Sequence, residues 1–365
     1  MAGTCTEEEL TTLRRMLEWR APAPTDARFL NAFIDQNNKC NLRCLTCGFS
    51  DARVPALGKY DMPRWLYDRI AAEVFPHCRH VCLSLMTEPF MTRDFPDRLM
   101  ALREYEVPFS EVHTNGTLLT ARANEKILDA RMNRIIFSID GGTKAVYEGL
   151  RPGARFEQVL ANWNALRSAR DSRGQTLPAL RINHVLSEPN IDTFDRFLAL
   201  AEELKADELS VRTVARMSEA KIQQSTDDAF WEKVRAVRVS LAAFCARTGI
   251  RNSSFLRDRP TPIELTLDSG EAMTCRYPWD WLSIYPNGDA FPCMAWSRPR
   301  IGSFVDQTFE EIWNGAALAE LRREFEAVRP GVDCLHCTIR KAADDPDDDF
   351  FFRKLAMPPP PLQRP

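Results

Sequence analysis

The sequence predicts an α/β protein in which helices cover a parallel β-sheet, followed by a smaller C-terminal domain. Between residues 29 and 216, short apolar runs alternate with amphipathic segments and make six β/α units. Parallel strands need crossover connections, so the helical segments between the runs indicate a parallel sheet with helices outside it. A hairpin signal flanked by cysteines begins only after residue 270. A chain of 365 residues is long enough for one large domain and one small one.

The composition is that of a globular protein with many thiols. Hydrophobic residues make up 44% of the chain, and a net charge of −3 gives no basic surplus for a nucleic-acid partner. The N-terminus is polar and acidic and no apolar run reaches membrane-spanning length, so we expect no signal peptide, no membrane contact and a cytoplasmic location. Disulfides are rare there, yet the chain has 11 cysteines. Seven of them stand at spacings typical of metal ligands.

Residues 1–28 are expected to form a leader with one short helix. Thr6 and Glu9 match a capping box, and apolar residues recur at helical spacing as far as Leu17. The Ala-Pro-Ala-Pro sequence at 21–24 ends this helix. Such a leader is too short to be a peptide-recognition domain.

The elements of the large domain, residues 29–216, follow the apolar runs in order. Strands are predicted at 29–35, 80–85, 111–114, 134–139, 179–186 and 208–214. Helices are predicted between them, for example at 63–74, 95–105, 123–130, 156–170 and 191–204. Residues 217–270 are predicted to form a bridging helical segment that closes the side of this domain. The acidic and proline-rich residues 341–365 are expected to be a disordered tail.

Three cysteines follow the first predicted strand at Cys-x3-Cys-x2-Cys spacing: Cys40, Cys44 and Cys47. Soft thiolates select iron–sulfur clusters, zinc or copper(I), and three of them are one short of a structural zinc site. A 4Fe–4S cluster held by three cysteines keeps one iron open for another ligand. The motif resembles that of the radical S-adenosylmethionine (SAM) superfamily, in which this iron chelates SAM. A zinc-binding or disordered loop is the alternative.

Later segments resemble the same superfamily, in the same order. Leu-Met-Thr-Glu-Pro at 85–89 stands where the family usually has Gly-Gly-Glu-Pro, which binds the SAM amino group; here Met86 and Thr87 replace the glycines and Glu88 remains. The third strand ends in Thr-Asn-Gly, a common family signature that includes Asn115. The resemblance implies an open, partial (β/α)6 barrel whose ligands gather at the C-terminal ends of the strands.

Four more residues complete the SAM contacts that the resemblance implies. Ser138 and Asp140 share one face of the fourth strand and suit ribose hydroxyls. Arg151 resembles the family arginine that pairs with the SAM carboxylate, a partner that guanidinium can bind bidentately. Many members have an aromatic residue just before the third cysteine, near the adenine. This chain has Thr46 there, and Phe49 is the candidate for that role.

Four cysteines in residues 271–340 form a second set: Cys275, Cys293, Cys334 and Cys337. The first two flank a predicted hairpin at 282–292, and a helix follows around 310–325. The segment resembles the twitch domain, a shorter relative of the SPASM domain, which carries an auxiliary 4Fe–4S cluster. Four cysteines would ligate that cluster fully. Zinc bound by four thiolates is the alternative.

The resemblance implies that an external reductant such as flavodoxin or ferredoxin gives an electron to the first cluster. The reduced cluster then cleaves SAM to a 5′-deoxyadenosyl radical, which takes hydrogen from a substrate. Aminocyclitol dehydrogenases of antibiotic biosynthesis have the same three-plus-four cysteine arrangement, which favours oxidation. Epimerisation is the other outcome if a thiol returns hydrogen. Cys82 is then the first candidate donor, ahead of Cys78 and Cys245, although plain packing explains these cysteines as well.

We expect a small sugar-like or aminocyclitol substrate, because the leader cannot recognise a peptide. Arg181 and Asn183 are the first candidate substrate contacts, ahead of His184 and Arg212, since only alternate strand residues can point into a barrel. The alternative is a maturase that modifies a ribosomal peptide or a protein. A metal-binding scaffold without enzymatic activity is the third possibility.

Overall fold

A ten-stranded sheet runs through the computed structural model, which describes residues 28–214, 220–254, 256, 277–293, 300–326 and 359–361. Its strands are β1 (Leu30–Ile34), β2 (Cys78–Cys82), β3 (Phe109–Thr114), β4 (Arg134–Ser138), β5 (Ala179–Leu186), β6 (Glu208–Thr213), β7 (Arg251–Asn252), β8 (Trp281–Ile284), β9 (Asp289–Phe291) and β10 (Gly302–Ser303). They lie in the order β10-β9-β8-β1-β2-β3-β4-β5-β6-β7. All pairs from β8 through β1 to β7 are parallel, and the sheet stays open.

Helices connect the parallel strands. In chain order they are α1 (Arg64–Val74), α2 (Phe95–Arg98), α3 (Met100–Glu104), α4 (Ala121–Asp129), α5 (Lys144–Leu150), α6 (Phe156–Ser172), α7 (Glu188–Ile191), α8 (Phe194–Glu203), α9 (Asp228–Thr248), α10 (Tyr277–Asp280), α11 (Phe309–Trp313) and α12 (Ala316–Glu326). Six strands that alternate with helices make the partial (β/α)6 barrel that the resemblance implies, so the predicted fold class is confirmed.

The two faces of the sheet differ in chemistry. On β1, Leu30, Ala32 and Ile34 belong to the main hydrophobic core shared with the helices. Phe33 points the other way and packs in a small separate cluster with Cys82 of β2. Strand residues alternate between faces, so this second face is the concave interior of the partial barrel, which we call the lumen. The helix layer therefore carries the core, while the lumen collects the polar strand residues.

The C-terminal hairpin joins the same sheet. Strand β8 pairs with β1 in parallel, from Asn31 opposite Trp281 to Ile34 opposite Ile284. Strand β9 returns antiparallel to β8, and β10 pairs antiparallel to β9. The hairpin predicted at 282–292 is present. The sequence did not indicate that it extends the barrel sheet, because strand pairing depends on contacts between residues about 250 positions apart.

One predicted helix is divided in the structure. The segment predicted at 95–105 forms α2 and α3, whereas the segment predicted at 191–204 forms α8, which the separate short helix α7 precedes. Helix α7 starts with a capping box between Ser187 and Asn190 and ends at Asp192, before α8 begins at Phe194. The bridging helix predicted after residue 217 is α9, which Asp227 caps by accepting a hydrogen bond from the Ala229 N–H. Within the described residues, no helix is long and apolar enough to cross a bilayer.

Candidate functional site

Three thiols gather in the loop after β1. Cys44 is buried, and Cys40 and Cys47 are partly buried. Burial raises the pKa of all three thiols, that of Cys47 to about 12, and the neighbouring thiols contribute to the rise at Cys40 and Cys47. Proximity and burial make three thiolates costly unless a cation compensates them. This donor set therefore fits a metal cluster.

Two polar side chains contact these sulfurs, one from the end of β3 and one from the end of α5. The Asn115 amide Nδ2 lies 3.9 Å from the Cys40 Sγ, and the Arg151 Nη1 lies 3.6 Å from the Cys44 Sγ. The loop is tied to the chain after α5 by the hydrogen bond from the Leu45 N–H to the Leu150 carbonyl, 2.9 Å. The structure thus brings the cysteine motif together with two residues that the sequence assigned to SAM binding.

Asp35 holds the loop that replaces the family glycines. Its buried carboxylate accepts hydrogen bonds from the backbone N–H groups of Leu85 (2.8 Å) and Met86 (3.1 Å), and from the Thr87 hydroxyl (3.0 Å). Burial raises the pKa of Asp35 to about 6, and these hydrogen bonds act in the opposite direction. Sequence analysis missed Asp35. The only signal was its position at the end of the first predicted strand.

Glu88 connects this loop to the end of β3. Its carboxylate accepts hydrogen bonds from the Asn115 N–H at 2.7 Å and the Thr114 hydroxyl at 2.8 Å. Burial raises the pKa of Glu88 to about 7, against the hydrogen bonds that it accepts. Gly116 follows with a φ of +76°, and a Cβ there would lie 2.6 Å from Phe137. The Thr-Asn-Gly signature therefore makes a tight turn that presents Asn115 to the cysteine loop.

Asp140 and Arg151 form a buried pair beside Cys44. The Arg151 Nε and Nη2 lie 2.8 and 2.7 Å from the Asp140 Oδ2, and the Val185 N–H donates to the Asp140 Oδ1 at 2.8 Å. Asp140 is thus committed to orienting Arg151, a role that spacing alone did not indicate. Ser138, two residues earlier on β4, is partly exposed toward the lumen.

The Phe49 side chain packs against the cysteine loop. It is 2% exposed and packs with Val54 against Cys40, Cys47 and Met86. The structure thus places an aromatic ring next to the cysteine motif, as the sequence predicted. Whether it meets adenine stays a prediction.

Charged residues of alternating sign form a row across the lumen face of strands β2 to β6. Glu111 of β3 lies 3.3 Å from the His80 Nε2 and 3.2 Å from the Arg134 Nε. Arg134 continues to Glu208 at 3.1 Å, and Arg181 reaches Glu208 at 3.5 Å. Burial acts to raise the pKa of Glu111, but His80 and Arg134 outweigh it and hold the pKa well below its usual value.

The predicted substrate contacts divide between the two faces of the sheet. Arg181 and Asn183 point into the lumen, and Arg181 is paired with Glu208. His184 points to the helix layer, where its ring lies 4.0 Å from that of Phe197, so it is no lumen contact. Burial lowers the pKa of His184 to about 4, which keeps the ring uncharged there. Arg212 shares the lumen face of β6 and is exposed.

Sequence analysis missed His113, a partly exposed lumen residue on β3. Its Nδ1 lies 3.4 Å from the Asn183 Nδ2. The signal available was its position two residues before Asn115, on the same face of the strand. Among the three candidate thiol donors, only Cys82 faces the lumen. Cys78 donates to the Val74 carbonyl of α1 and Cys245 packs in the helix layer.

One cysteine of the second set lies in the described part of the chain. Cys293 follows β9, while Cys275, Cys334 and Cys337 fall outside the described residues. Tyr285, at the end of β8, is 3% exposed, and its hydroxyl lies 3.7 Å from the Met86 sulfur. Burial raises the pKa of Tyr285 well above its usual value, and the charges of Asp35 and Cys293 contribute. This tyrosine therefore lies between the Asp35 loop and Cys293.

Comparisons with known proteins agree with this arrangement. The radical SAM superfamily profile matches residues 37–181, and that of SPASM, an iron–sulfur cluster-binding domain, matches residues 275–338. An AdoMet-dependent heme synthase from Methanosarcina barkeri is 28% identical over 309 residues, which cover 80% of this chain and 83% of that protein. A probable GTP 3′,8-cyclase from Metallosphaera sedula is 27% identical over 173 residues, 47% of this chain and 51% of that protein.

Two solved structures share the fold. Streptococcus suis SuiB bound to its precursor peptide SuiA has a TM-score of 0.64 and 16% identity, over 91% of this chain and 74% of SuiB. The enzyme anSMEcpe with bound AdoMet has a TM-score of 0.58 and 17% identity, over 79% of this chain and 82% of that one. The two family matches span both cysteine sets. The chain is a member of the radical SAM superfamily with a SPASM-type domain, and its cofactors are SAM and 4Fe–4S clusters.

Proposed function

We propose that this enzyme is a radical SAM oxidoreductase that oxidises a polar substrate held in the lumen. The observation that carries the proposal is the pairing of β8 with β1. Strand β1 leads into the first cysteine loop, and the β8–β9 hairpin ends at Cys293. One sheet thus carries the first cysteine loop and Cys293, with β8 between their strands, which favours electron exchange over a remote, purely structural second site.

The cysteines divide between two clusters in this proposal. Cys40, Cys44 and Cys47 hold the cluster that binds SAM. The auxiliary cluster is held by Cys275, Cys293, Cys334 and Cys337. When bound, the first cluster and SAM supply a 5′-deoxyadenosyl radical, and the auxiliary cluster supplies an electron acceptor. The protein's task is to orient the substrate and to exclude water from it.

The mouth of the lumen holds SAM through groups already oriented by the fold. The Asp35 carboxylate fixes the backbone of residues 85–87, and Glu88 fixes Asn115. The Asp140 carboxylate fixes the guanidinium of Arg151, which leaves its Nη1 near Cys44 for a carboxylate ligand. Thr87, Ser138 and Phe49 line the remaining sides. These contacts bind and orient the cofactor.

The lumen supports a polar substrate. His113, Ser138 and Asn183 face it with an imidazole, a hydroxyl and an amide, and Arg212 adds an exposed guanidinium at its edge. A sugar-like or aminocyclitol substrate therefore stays our first candidate, supported by this polarity alone. Oxidation leaves Cys82 without a role as a hydrogen donor, whereas epimerisation would assign it one.

A peptide or protein substrate is the second candidate. The fold shared with SuiB, a structure solved with its precursor peptide, favours it. The heme synthase relative adds a tetrapyrrole as a further substrate class. Both would have to enter through the same open mouth of the sheet.

Deuterium transfer distinguishes these candidates. The enzyme, reconstituted without oxygen and supplied with dithionite and SAM, is incubated separately with perdeuterated cell extract below 3 kDa, with deuterated peptides and with a deuterated porphyrin precursor of heme. We expect deuterium in 5′-deoxyadenosine from the small-molecule fraction, and a product two hydrogens lighter. Deuterium from the peptides or the porphyrin alone would reject the first candidate. A product of unchanged mass that carries solvent hydrogen would indicate epimerisation, and no 5′-deoxyadenosine would reject enzymatic activity.

A further inference from the structure

A cluster of ligand-type side chains from two neighbouring strands lies in the lumen. Cys82 of β2 stands opposite Glu111 of β3 in the strand register. His113 follows two residues later on the same strand face. One sulfur, one carboxylate oxygen and one imidazole nitrogen from these residues all lie within 4.8 Å of one another. We propose that Cys82, Glu111 and His113 form a zinc-binding site in the lumen, separate from both iron–sulfur sites.

The donor set selects the ion. Thiolate, imidazole and carboxylate are the three ligand types that zinc uses, and copper(I) and iron–sulfur clusters would favour more sulfur. Three protein ligands with a fourth position left for another molecule are typical of catalytic zinc sites, whereas structural sites use four. Cys82 is 0% exposed and Glu111 2% exposed, so the ion would be anchored on its buried side. His113 is partly exposed and turns the open position toward the lumen.

Neighbouring side chains orient the ligands. The Glu111 carboxylate is held on one oxygen by His80 at 3.3 Å and on the other by Arg134 at 3.2 Å. A carboxylate has four lone-pair positions, so these contacts leave room for a metal on Glu111. Such supporting contacts fix a ligand's direction and tune the affinity of a site.

Asn183 supports the imidazole. Its amide lies 3.4 Å from the His113 Nδ1, and its Oδ1 has no hydrogen-bond partner among the described residues. A half turn of the Asn183 amide would place Oδ1 against a protonated Nδ1. The Nε2 lone pair would then be available for the metal, which is the usual arrangement behind a ligating histidine.

Charge balance allows the ion. Arg134 and Arg181 offset Glu111 and Glu208 along the buried row. A zinc ion with the Cys82 thiolate adds one net positive charge. That charge would attract an anionic or polar oxygen of the substrate as the fourth ligand. The ligand class of this site is therefore zinc together with an oxygen donor of the substrate.

Zinc content of the holoenzyme tests the proposal. The protein with both clusters in place receives one equivalent of zinc sulfate, is dialysed without oxygen, and is analysed by mass spectrometry for zinc and iron. We expect about one zinc per chain. The zinc K-edge absorption spectrum should show one sulfur at about 2.3 Å and nitrogen or oxygen ligands at about 2.0–2.1 Å.

Variants assign the ligands. Cys82→Ser, which preserves side-chain size, and His113→Gln should each weaken zinc binding at least about 100-fold, since changes behind a ligand already cost 10- to 100-fold. Iron content should not change. Cys245→Ala and His77→Gln are matched controls outside the lumen, and both should keep their zinc.

Three outcomes would overturn the site. Zinc lost on dialysis of the wild type shows that no such site exists. A zinc shell with several sulfurs shows that the ion occupies a cluster site instead. Equal zinc content in the lumen variants and the wild type rejects the ligand assignment. Each of these can occur whether or not the enzyme oxidises its substrate, so the two proposals fail independently.

Discussion

At the residue scale, buried carboxylates fix the geometry of the loops around the first cysteine motif. Asp35, Glu88 and Asp140 accept hydrogen bonds from groups of the loops beside them. None of the three is more than 2% exposed. Ionised acceptors make stronger hydrogen bonds than neutral ones, and burial strengthens them further. Asp35 accordingly replaces the conformational freedom of two glycines with fixed hydrogen bonds, which explains why Met86 and Thr87 are tolerated there.

Arg151→Lys tests our proposal that the Arg151 guanidinium, oriented by Asp140, binds the SAM carboxylate. Lysine cannot contact Asp140 through two nitrogens and still reach toward Cys44, because its ammonium is a single point. We expect the Kd for SAM to rise about tenfold, equal to about 1.4 kcal/mol, with unchanged iron content. Equilibrium dialysis with labelled SAM on the reconstituted protein measures it. Arg155→Lys, at an exposed position after α5, is the control, and equal Kd values for both variants would contradict the role of Arg151.

Glu88→Gln tests how a buried carboxyl group makes the free energy of unfolding depend on pH. Burial raises the pKa of Glu88 from 4.5 to about 7. Over that range the folded protein holds a proton that the unfolded chain has lost, so this group's contribution to stability falls as pH rises. From about pH 5 to pH 7 the loss is about 2 kcal/mol. Urea unfolding at several pH values measures this fall in the free energy of unfolding. We expect it in the wild type and not in Glu88→Gln. Glu104→Gln, an exposed control, should keep the wild-type slope of unfolding free energy against pH. The same slope in Glu88→Gln would contradict the prediction.

At the scale of elements, the contact between β1 and β8 connects the first cysteine loop to the hairpin that leads to Cys293. Phe33 and Trp281 stack in the lumen with ring centroids 4.3 Å apart and planes 18° apart. The Trp281 Nε1 donates to the Ser283 hydroxyl at 3.1 Å. This aromatic pair joins the hairpin to the first strand on the lumen face, while Leu282 and Ile284 join it on the helix face.

Trp281→Ala should loosen the hairpin. Removal of a buried tryptophan costs about 3–5 kcal/mol through lost burial and the cavity left behind. We expect a lower midpoint of thermal unfolding and a lower yield of auxiliary-site iron on reconstitution. Trp279→Ala, whose side chain is 38% exposed, should cost far less and serves as the control. The same loss of stability in both variants would show that the Phe33 stack does not hold the hairpin.

Two separable iron sites are expected at the scale of the whole molecule. Simultaneous replacement of Cys40, Cys44 and Cys47 by Ala should remove about four irons and abolish SAM cleavage, since three thiolates hold that cluster. Cys293→Ala should remove about as much iron from the other site and stop turnover, while uncoupled SAM cleavage can persist. Iron analysis and 5′-deoxyadenosine measured under dithionite test both variants.

Cys245→Ala is the control for this pair, because that thiol packs in the helix layer. It should keep full iron and activity. If the trio variant still cleaves SAM, the first assignment is wrong. If Cys293→Ala keeps all of its iron, Cys293 is not an auxiliary ligand.

The sequence by itself determined the fold class and the first cysteine site. Parallel strands recur as apolar runs separated by amphipathic helices, and the spacing of Cys40, Cys44 and Cys47 is a local property of one loop. Local patterns of this kind can be recognised without knowledge of any distant contact. The helix break after Arg98 escaped the same analysis, because a turn at Leu99 interrupts a helical pattern that is otherwise continuous.

Only the tertiary structure decided which groups meet. Asp35 reaches residues 85–87, Asp140 orients Arg151, and β8 pairs with β1 across about 250 residues. The direction of His184 and His113 also depended on the strand register, since neighbouring residues on a strand point to opposite faces. Register is set by packing across the whole sheet, and no short stretch of sequence carries that information.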